Sequence, residues 1–130
     1  MTFTLPLLNY AYNSLEPFID TQTMKIHHTK HHQAYIDKLN AALEKYPKLQ
    51  KESAEDLIKN LNSIDEDVRI AVRNHGGGHV NHSFFWKILK KEVELSGEVV
   101  KAINKKFGNF NSFKEKFKEI FGMDLEIKDV

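Results

Sequence analysis

The chain has 130 residues, of which 41% are hydrophobic and 28% are charged, as is typical of an ordinary globular domain. Nineteen lysines and arginines nearly balance eighteen aspartates and glutamates, and the formal net charge of +1 excludes the basic excess by which nucleic-acid-binding domains engage phosphates. Cysteine is absent, which excludes disulfides, a thiolate nucleophile and cysteine-bound zinc or iron–sulfur centres.

Targeting and membrane segments are also not indicated. No stretch approaches the run of about 18 apolar residues that a membrane-spanning helix requires. Residues 1–6 lack the basic segment and continuous apolar stretch of a secretory signal. The sequence therefore predicts a cytoplasmic protein with neither a membrane nor a nucleic acid among its partners.

The first predicted elements are an arm and a long helix. Residues 1–20 contain two prolines and several aromatic side chains, which indicates an extended arm packed on a core. A helix is expected to begin near Thr21 or Thr23, both acceptable N-cap residues, and to run to about Lys45, because Pro47 stops it.

A short helix and a second long helix are expected next. The capping-box patterns that begin at Ser53 and Ser63 predict the start of each. The second long helix has the clearest helical spacing in the chain. Its apolar and histidine side chains form a stripe along one helix face. The members recur at three- and four-residue steps: Val68, Ala71, Val72, His75, His79, His82, Trp86 and Leu89.

Three consecutive glycines, Gly76, Gly77 and Gly78, lie inside this stripe. Each glycine costs a helix about 1 kcal/mol relative to alanine, so the triplet either breaks the helix or has a compensating role. Because the stripe continues on both sides, we expect a continuous helix whose missing side chains allow a close approach.

The rest of the chain is predicted to be mostly helical. A break at residues 94–97 leads into a helix over residues 98–107 that Gly108 closes, and Asn111 is expected to cap a last helix that ends at Gly122. Residues 125–130 alternate like a strand. The predicted fold class is mainly α, a long antiparallel helical hairpin with additional short helices.

The histidines are the most informative feature. All seven lie in two short windows, one in each long helix: His27, His28, His31 and His32, then His75, His79 and His82. If the helices pack antiparallel, the windows can face each other, and imidazoles that converge from facing helices are a common way to build a metal site. The alternative for a single histidine is a hydrogen-bonded core residue, which we expect for His28, His32, His75 and His79.

At these residues the chain resembles the manganese/iron superoxide dismutases. The matching motifs occur in that family's order: LPLLNYAYNSLEP at residues 5–17, MKIHHTKHHQAY at residues 24–35, NHGGGHVNHSFFW at residues 74–86 and FGNFNSFK at residues 107–114. The resemblance covers roughly residues 3–121. It implies a helical hairpin metal-binding domain over residues 1–92 and the truncated start of a C-terminal domain over residues 93–130.

The resemblance also implies roles for individual residues. His27 and His82 would be ligands of one manganese ion (or iron ion), His31 would gate the path of superoxide, and Tyr35 would belong to the proton-donating network. Trp86 would wall the site, and Lys30 could add positive potential that attracts the anion.

The metal and the assembly are implied in the same way. Gly78 stands where iron-type members usually carry glutamine, which favours manganese. The chain is expected to form a homo-oligomer, as a dimer.

The resemblance fails after Phe121. The family's Asp-x-Trp-Glu-His motif, which supplies an aspartate and a third histidine as ligands, is missing, and so is the α/β sheet around it. Asp124, Glu126 or Asp129 could act as substitute carboxylates. We therefore expect a dismutase of impaired activity, or alternatively a non-catalytic, metal-binding and self-associating remnant. A histidine-rich bundle unrelated to the family, binding zinc or haem, is a third alternative.

Overall fold

A computed structural model of the chain describes residues 3–122, except for the side chain of Phe121. The chain divides into two compact units between Lys90 and Lys91. The predicted mainly α fold is confirmed, since the described residues form helices and no strand. The domain boundary after residue 92 stays a prediction, and the strand-like segment 125–130 lies outside the described residues.

The first long helix spans residues 21–42 without interruption. It consists of α-helical Thr21–Ile26, π-helical His27–His32 and α-helical Gln33–Ala42. Asp20 caps it, because its carboxylate accepts a hydrogen bond from the Thr23 backbone N–H at 2.8 Å. The helix therefore begins at Thr21, as predicted, although its cap is Asp20 and not Thr21 or Thr23. It ends at Ala42, slightly before the predicted end at about Lys45.

The second long helix spans residues 66–88. It consists of α-helical Glu66–Ala71, π-helical Val72–Gly76 and α-helical Gly77–Ile88, so the prediction of a continuous helix through the glycines is confirmed. Its N-cap position is Asp65. The capping box predicted at Ser63 is wrong, because the Ser63 hydroxyl instead donates to the Asn60 carbonyl at 2.7 Å.

Short elements connect the two long helices: 3-10 helix Leu49–Lys51, α-helix Ala54–Lys59 and 3-10 helix Leu61–Ser63. The cap predicted at Ser53 is confirmed, since its hydroxyl accepts a hydrogen bond from the Asp56 N–H at 3.1 Å. No helix among residues 3–122 has both the length and the apolar character needed to cross a membrane.

The two long helices pack antiparallel, as predicted. Contacts that advance along the first helix retreat along the second: His27 meets His82, His32 meets His79, and Leu39 lies beside Gly76. At one end of the hairpin a buried core forms from Leu39, Leu43, Ala54, Leu57, Ile64, Val68 and Val72. Nearer the other end, a second core forms from Leu15, Met24 and Trp86.

The N-terminal arm is held against the hairpin by side-chain hydrogen bonds. The Asn40 side chain accepts from the Phe3 N–H at 2.8 Å and donates to the Phe3 carbonyl at 2.9 Å. Further along, the Tyr10 hydroxyl donates to the Trp86 carbonyl at 2.8 Å. The arm therefore covers the hairpin, as its aromatic content indicates.

The second unit contains two amphipathic helices, Glu98–Phe107 and Phe110–Phe121. Gly108 separates them with a φ of 86°, and Gly122 ends the last helix in the left-handed conformation, as predicted. Asn109, not Asn111, caps the last helix, since its side chain accepts a hydrogen bond from the Ser112 N–H at 2.9 Å.

Gly78 permits a close approach between the two long helices. A Cβ atom at this position would overlap the Tyr35 ring, whereas a Cβ at Gly77 would meet nothing within 4 Å. The helical penalty of Gly78 therefore has a structural reason, since a side chain there would displace Tyr35.

We predict that Gly78→Ala lowers the free energy of unfolding by about 1–3 kcal/mol, because overpacking outweighs the gain in helix propensity. Gly77→Ala is the matched control and should be neutral or stabilising by up to about 1 kcal/mol. Urea denaturation followed by circular dichroism measures both variants. Equal stability of the two variants would contradict the close packing of Tyr35 on Gly78.

Candidate metal centre

The two long helices bring His27 and His82 together. Their Nε2 atoms are 2.9 Å apart, although the residues are separated by 55 positions in the sequence. Both rings are half-buried, and their centroids are 5.0 Å apart at an interplanar angle of 84°. The two Nε2 atoms thus converge on one point between the helices.

The backbone of the second long helix selects the tautomer of His82. Its Nδ1 lies 2.7 Å from the Gly78 carbonyl oxygen. A carbonyl can only accept a hydrogen bond, so Nδ1 carries the proton and donates it. In the neutral ring, Nε2 then presents a lone pair toward His27, which is the form of histidine that binds metals.

Burial favours the neutral form of His27. Loss of hydration lowers the pKa of its imidazole, and the neighbouring rings of His82 and His31 lower this pKa further. A lowered pKa favours the neutral His27 ring near neutral pH. Since His82 Nε2 presents a lone pair, His27 Nε2 donates the hydrogen bond between the two rings. Because a metal ion binds only an unprotonated nitrogen, this proton would move to Nδ1 when His27 Nε2 binds an ion.

His31 and Tyr35 lie at the same place. His31 is exposed, and its ligating nitrogen belongs, with those of His27 and His82, to a cluster in which all three atoms lie within 4.8 Å of one another. The Tyr35 ring lies 5.2 Å from the His31 ring and 5.2 Å from the His82 ring, centroid to centroid. The structure therefore brings together the four site residues that the sequence singled out.

Aromatic rings enclose the inner side of the cluster. The centroid of His27 lies 5.0 Å from that of Trp86 and 5.7 Å from that of Phe85. Trp86 itself is buried. These rings restrict the position of His27.

A hydrogen-bonded chain of three side chains lies behind the cluster. The Trp86 indole N–H donates to His32 Nδ1 at 3.0 Å. Since indole can only donate, the proton of neutral His32 lies on Nε2, which donates to His79 Nδ1 at 2.8 Å. Burial lowers the pKa of His32 to about 3, so this chain is built from neutral rings.

The expected core role is confirmed for three of the other histidines. His32 and His79 pair with each other as described. His28 is buried; its Nε2 donates to the Pro6 carbonyl at 2.8 Å, and its Nδ1 accepts from the Tyr12 hydroxyl at 3.0 Å. His75 departs from the expectation, because its buried Nδ1 has no hydrogen-bond partner among residues 3–122.

Sequence reasoning missed three features of the site. It did not predict the π-helical segment His27–His32, the hydrogen bond from His82 to the Gly78 carbonyl, or the role of Trp86 as a donor to His32. The four-residue spacing of Gly78 and His82 was an available signal for the second, because residues four apart lie on one helix face. The candidate carboxylates Asp124, Glu126 and Asp129 lie outside the described residues.

The fold and the cluster together define a helical-hairpin protein with histidines grouped as in a metal site. Residues 2–90 match the family model of iron/manganese superoxide dismutases, alpha-hairpin domain. The chain therefore belongs to the iron/manganese superoxide dismutase family.

Several similar proteins are named superoxide dismutase [Mn]. That of Yersinia enterocolitica is 53% identical over 117 residues, which cover 90% of this chain and 56% of the relative. That of Listeria monocytogenes is 52% identical over 119 residues, covering 90% of this chain and 59% of the relative. That of Thermus aquaticus is 53% identical over 116 residues, covering 88% and 57%. The chain thus spans a little more than half the length of these relatives.

We predict that Trp86→Phe lowers the free energy of unfolding by about 1–3 kcal/mol, since it leaves His32 Nδ1 buried without its donor. Phe84→Leu is the control: this neighbouring aromatic is 62% exposed, and its replacement should change stability by less than about 0.5 kcal/mol. Thermal and urea unfolding measure both. If Trp86→Phe protein is as stable as the control variant, the indole hydrogen bond contributes nothing to the free energy of unfolding.

Proposed function

We propose that His27 and His82 are two ligands of the manganese ion of a superoxide dismutase. The observation that carries this proposal is the 2.9 Å separation of two Nε2 atoms on facing helices, with the tautomer of His82 set by the Gly78 carbonyl. The donor set fits the ion, because neutral imidazole is a suitable ligand for manganese and iron. The reaction would convert two superoxide anions and two protons into dioxygen and hydrogen peroxide.

A bound manganese or iron ion would supply the one-electron redox couple that this reaction needs. The chain's own residues would hold the ligands and control access. Trp86 and Phe85 pack against His27 and would keep its ring in place while the ion changes charge. The hydrogen bond from His82 Nδ1 would raise the basicity of Nε2.

Tyr35 and His31 would act where superoxide enters and is protonated. Peroxide formation consumes two protons for each pair of superoxide anions, so the site needs a donor beside it. The Tyr35 ring lies next to His31 and His82, which favours it as the member of a proton-donating network. His31 is exposed and would line the entrance for superoxide, and the exposed Lys30 would add attraction for the anion.

Manganese is preferred to iron in this proposal for two reasons. The similar proteins described above are named as manganese enzymes. In addition, a glutamine at Gly78, as in iron-type members, would collide with the Tyr35 ring, because even a Cβ at this position overlaps it.

We propose that the 130-residue chain by itself has little dismutase activity. Among the described residues the cluster contains imidazoles and no carboxylate, so most of the coordination would be left to solvent and the redox potential would be poorly controlled. Activity would require completion by another segment or by association of chains, as in a dimer. The cytoplasmic location stays a prediction.

A non-catalytic, self-associating metal-binding protein is the second candidate. It is favoured by the apolar side chains that the amphipathic helices of the second unit present to solvent, since Val99 and Ile120 are each 71% exposed. Metal content, dismutase activity and sedimentation velocity of the purified chain distinguish the two candidates.

A chimera tests the catalytic role directly. We predict that residues 1–121, fused to the remaining C-terminal part of the Yersinia enterocolitica relative and loaded with manganese, will dismutate superoxide. His27→Ala and His82→Ala should each lower activity and manganese content more than about tenfold. The reason is that losing a ligand weakens metal binding more than losing a residue that only contacts a ligand, which already costs about tenfold or more.

His75→Gln is the matched control, since it removes an imidazole from the same helix but outside the cluster; it should retain activity. Circular dichroism verifies that each variant folds. A folded His27→Ala or His82→Ala chimera with full manganese content would overturn the assignment of ligands.

We further predict that the 130-residue chain, assayed alone with manganese or iron, shows little turnover beside the chimera, because the cluster contains no carboxylate among residues 3–122. Xanthine oxidase with cytochrome c reduction measures this. Turnover comparable with that of the chimera would contradict the expectation of impaired activity.

A further inference from the structure

His32, on the first long helix, is hydrogen-bonded to the second long helix on both sides of the proposed ligand His82. Its Nδ1 accepts from the Trp86 indole at 3.0 Å, and its Nε2 donates to His79 Nδ1 at 2.8 Å. His79 precedes His82 by three positions and Trp86 follows it by four, so the three lie on one face of the helix. One side chain of the first helix therefore bridges the two helical turns that flank the proposed ligand.

The ring of His32 also lies nearly parallel to the ring of His82. Their centroids are 5.2 Å apart and their planes differ by 22°, which is an offset-stacked arrangement. His27, in contrast, meets His82 edge to face, at 84°. The Gly78 carbonyl already holds Nδ1 of His82. The stacked ring of His32 adds a second restraint, which acts on the plane of the imidazole.

His32 is itself firmly held. Its side chain is fully buried, and both of its ring nitrogens have partners. Rotating the ring would leave the Trp86 indole N–H and the His32 nitrogens without partners in a buried place, which is unfavourable. The ring that stacks on His82 is therefore fixed by the second helix and not by packing alone.

A role in core stability would not by itself require this arrangement. A buried histidine needs partners for its nitrogens, but those partners need have no relation to the cluster. Here both partners of His32 lie within about one helical turn of His82, and the ring stacks on that residue. The position of the contacts points to His82 as the side chain that they restrain.

We propose that His32 is a positioning residue for the proposed ligand His82. Its hydrogen bonds to Trp86 and His79 fix its ring, and this ring holds the imidazole plane of His82 so that Nε2 stays directed at His27. The proposal rests on the proposed function, because it takes His82 to be a ligand. Residues that hold a metal-binding histidine in place contribute about tenfold or more to metal affinity.

Nuclear magnetic resonance of the metal-free 130-residue chain tests the effect on His82 directly. Long-range proton–nitrogen spectra should show one set of ring signals for His32, protonated on Nε2, and one set for His82, protonated on Nδ1. His79→Phe removes the acceptor of the His32 Nε2 proton and should broaden or double the ring signals of His82. His79→Asn is the conservative variant, since its side-chain oxygen can accept the same hydrogen bond, and it should retain a single set.

Electron paramagnetic resonance of the manganese-loaded chimera tests the consequence for the metal. The zero-field splitting of the manganous ion reports the geometry of its ligands. We expect His32→Leu and His79→Phe each to change this splitting and to raise the dissociation constant of manganese about tenfold, whereas His79→Asn should keep the parent values. Val72→Ala is the stability control: it truncates a residue of the core at the other end of the hairpin and should alter neither quantity.

The outcomes separate this proposal from the proposed function. If folded His32→Leu and His79→Phe proteins keep the splitting, the manganese affinity and the single His82 signals of the parent, His32 serves only the core, although His27 and His82 still stand as ligands. A change in His32→Leu alone would overturn the anchoring by His79.

Two further results would also overturn the positioning role. If Val72→Ala alters the splitting as much as His79→Phe, the change reflects lost stability and not a lost restraint on His82. If a folded His82→Ala chimera retains its manganese, the assignment of the ligand fails and the positioning role fails with it. Circular dichroism verifies the fold of each variant.

Discussion

The antiparallel contact between the two long helices is the constraint on which the rest of the structure depends. It places the imidazoles of His27 and His82 tip to tip, 2.9 Å apart across 55 positions of sequence. This contact requires space, and Gly78 provides it by leaving the Tyr35 ring unobstructed. The same glycine offers its carbonyl to His82 Nδ1. One residue without a side chain thus sets both the helix separation and the tautomer of a proposed ligand.

Buried histidines are costly unless their nitrogens are satisfied, and this hairpin satisfies most of them with one another and with aromatic donors. The chain from Trp86 through His32 to His79 links the wall of the cluster to the second long helix. The N-terminal arm holds His28 in place through hydrogen bonds with the Tyr12 hydroxyl and the Pro6 carbonyl. The arm therefore contributes to the order of the histidines beneath it, although it supplies no member of the cluster.

Much of the fold followed from local patterns. Helical spacing predicted both long helices, and the glycine signals predicted the ends at Gly108 and Gly122. The errors lie mainly at helix starts, where several polar residues compete for one cap. Asp20 takes the place expected for Thr21 or Thr23, and Asn109 that of Asn111. Cap choice depends on which side chain reaches the second or third N–H, and a sequence with adjacent candidates does not decide this.

The sequence alone determined that two histidine windows lie on helices and that their motifs match the family, because these properties depend on the spacing and identity of neighbouring residues. The tertiary structure decided how each imidazole is used. His27, His31 and His82 share one cluster, whereas His28, His32 and His79 form hydrogen bonds within the core. Histidines of one window differ only in the direction of their side chains. What each side chain contacts in that direction is decided only when the second helix packs against the first.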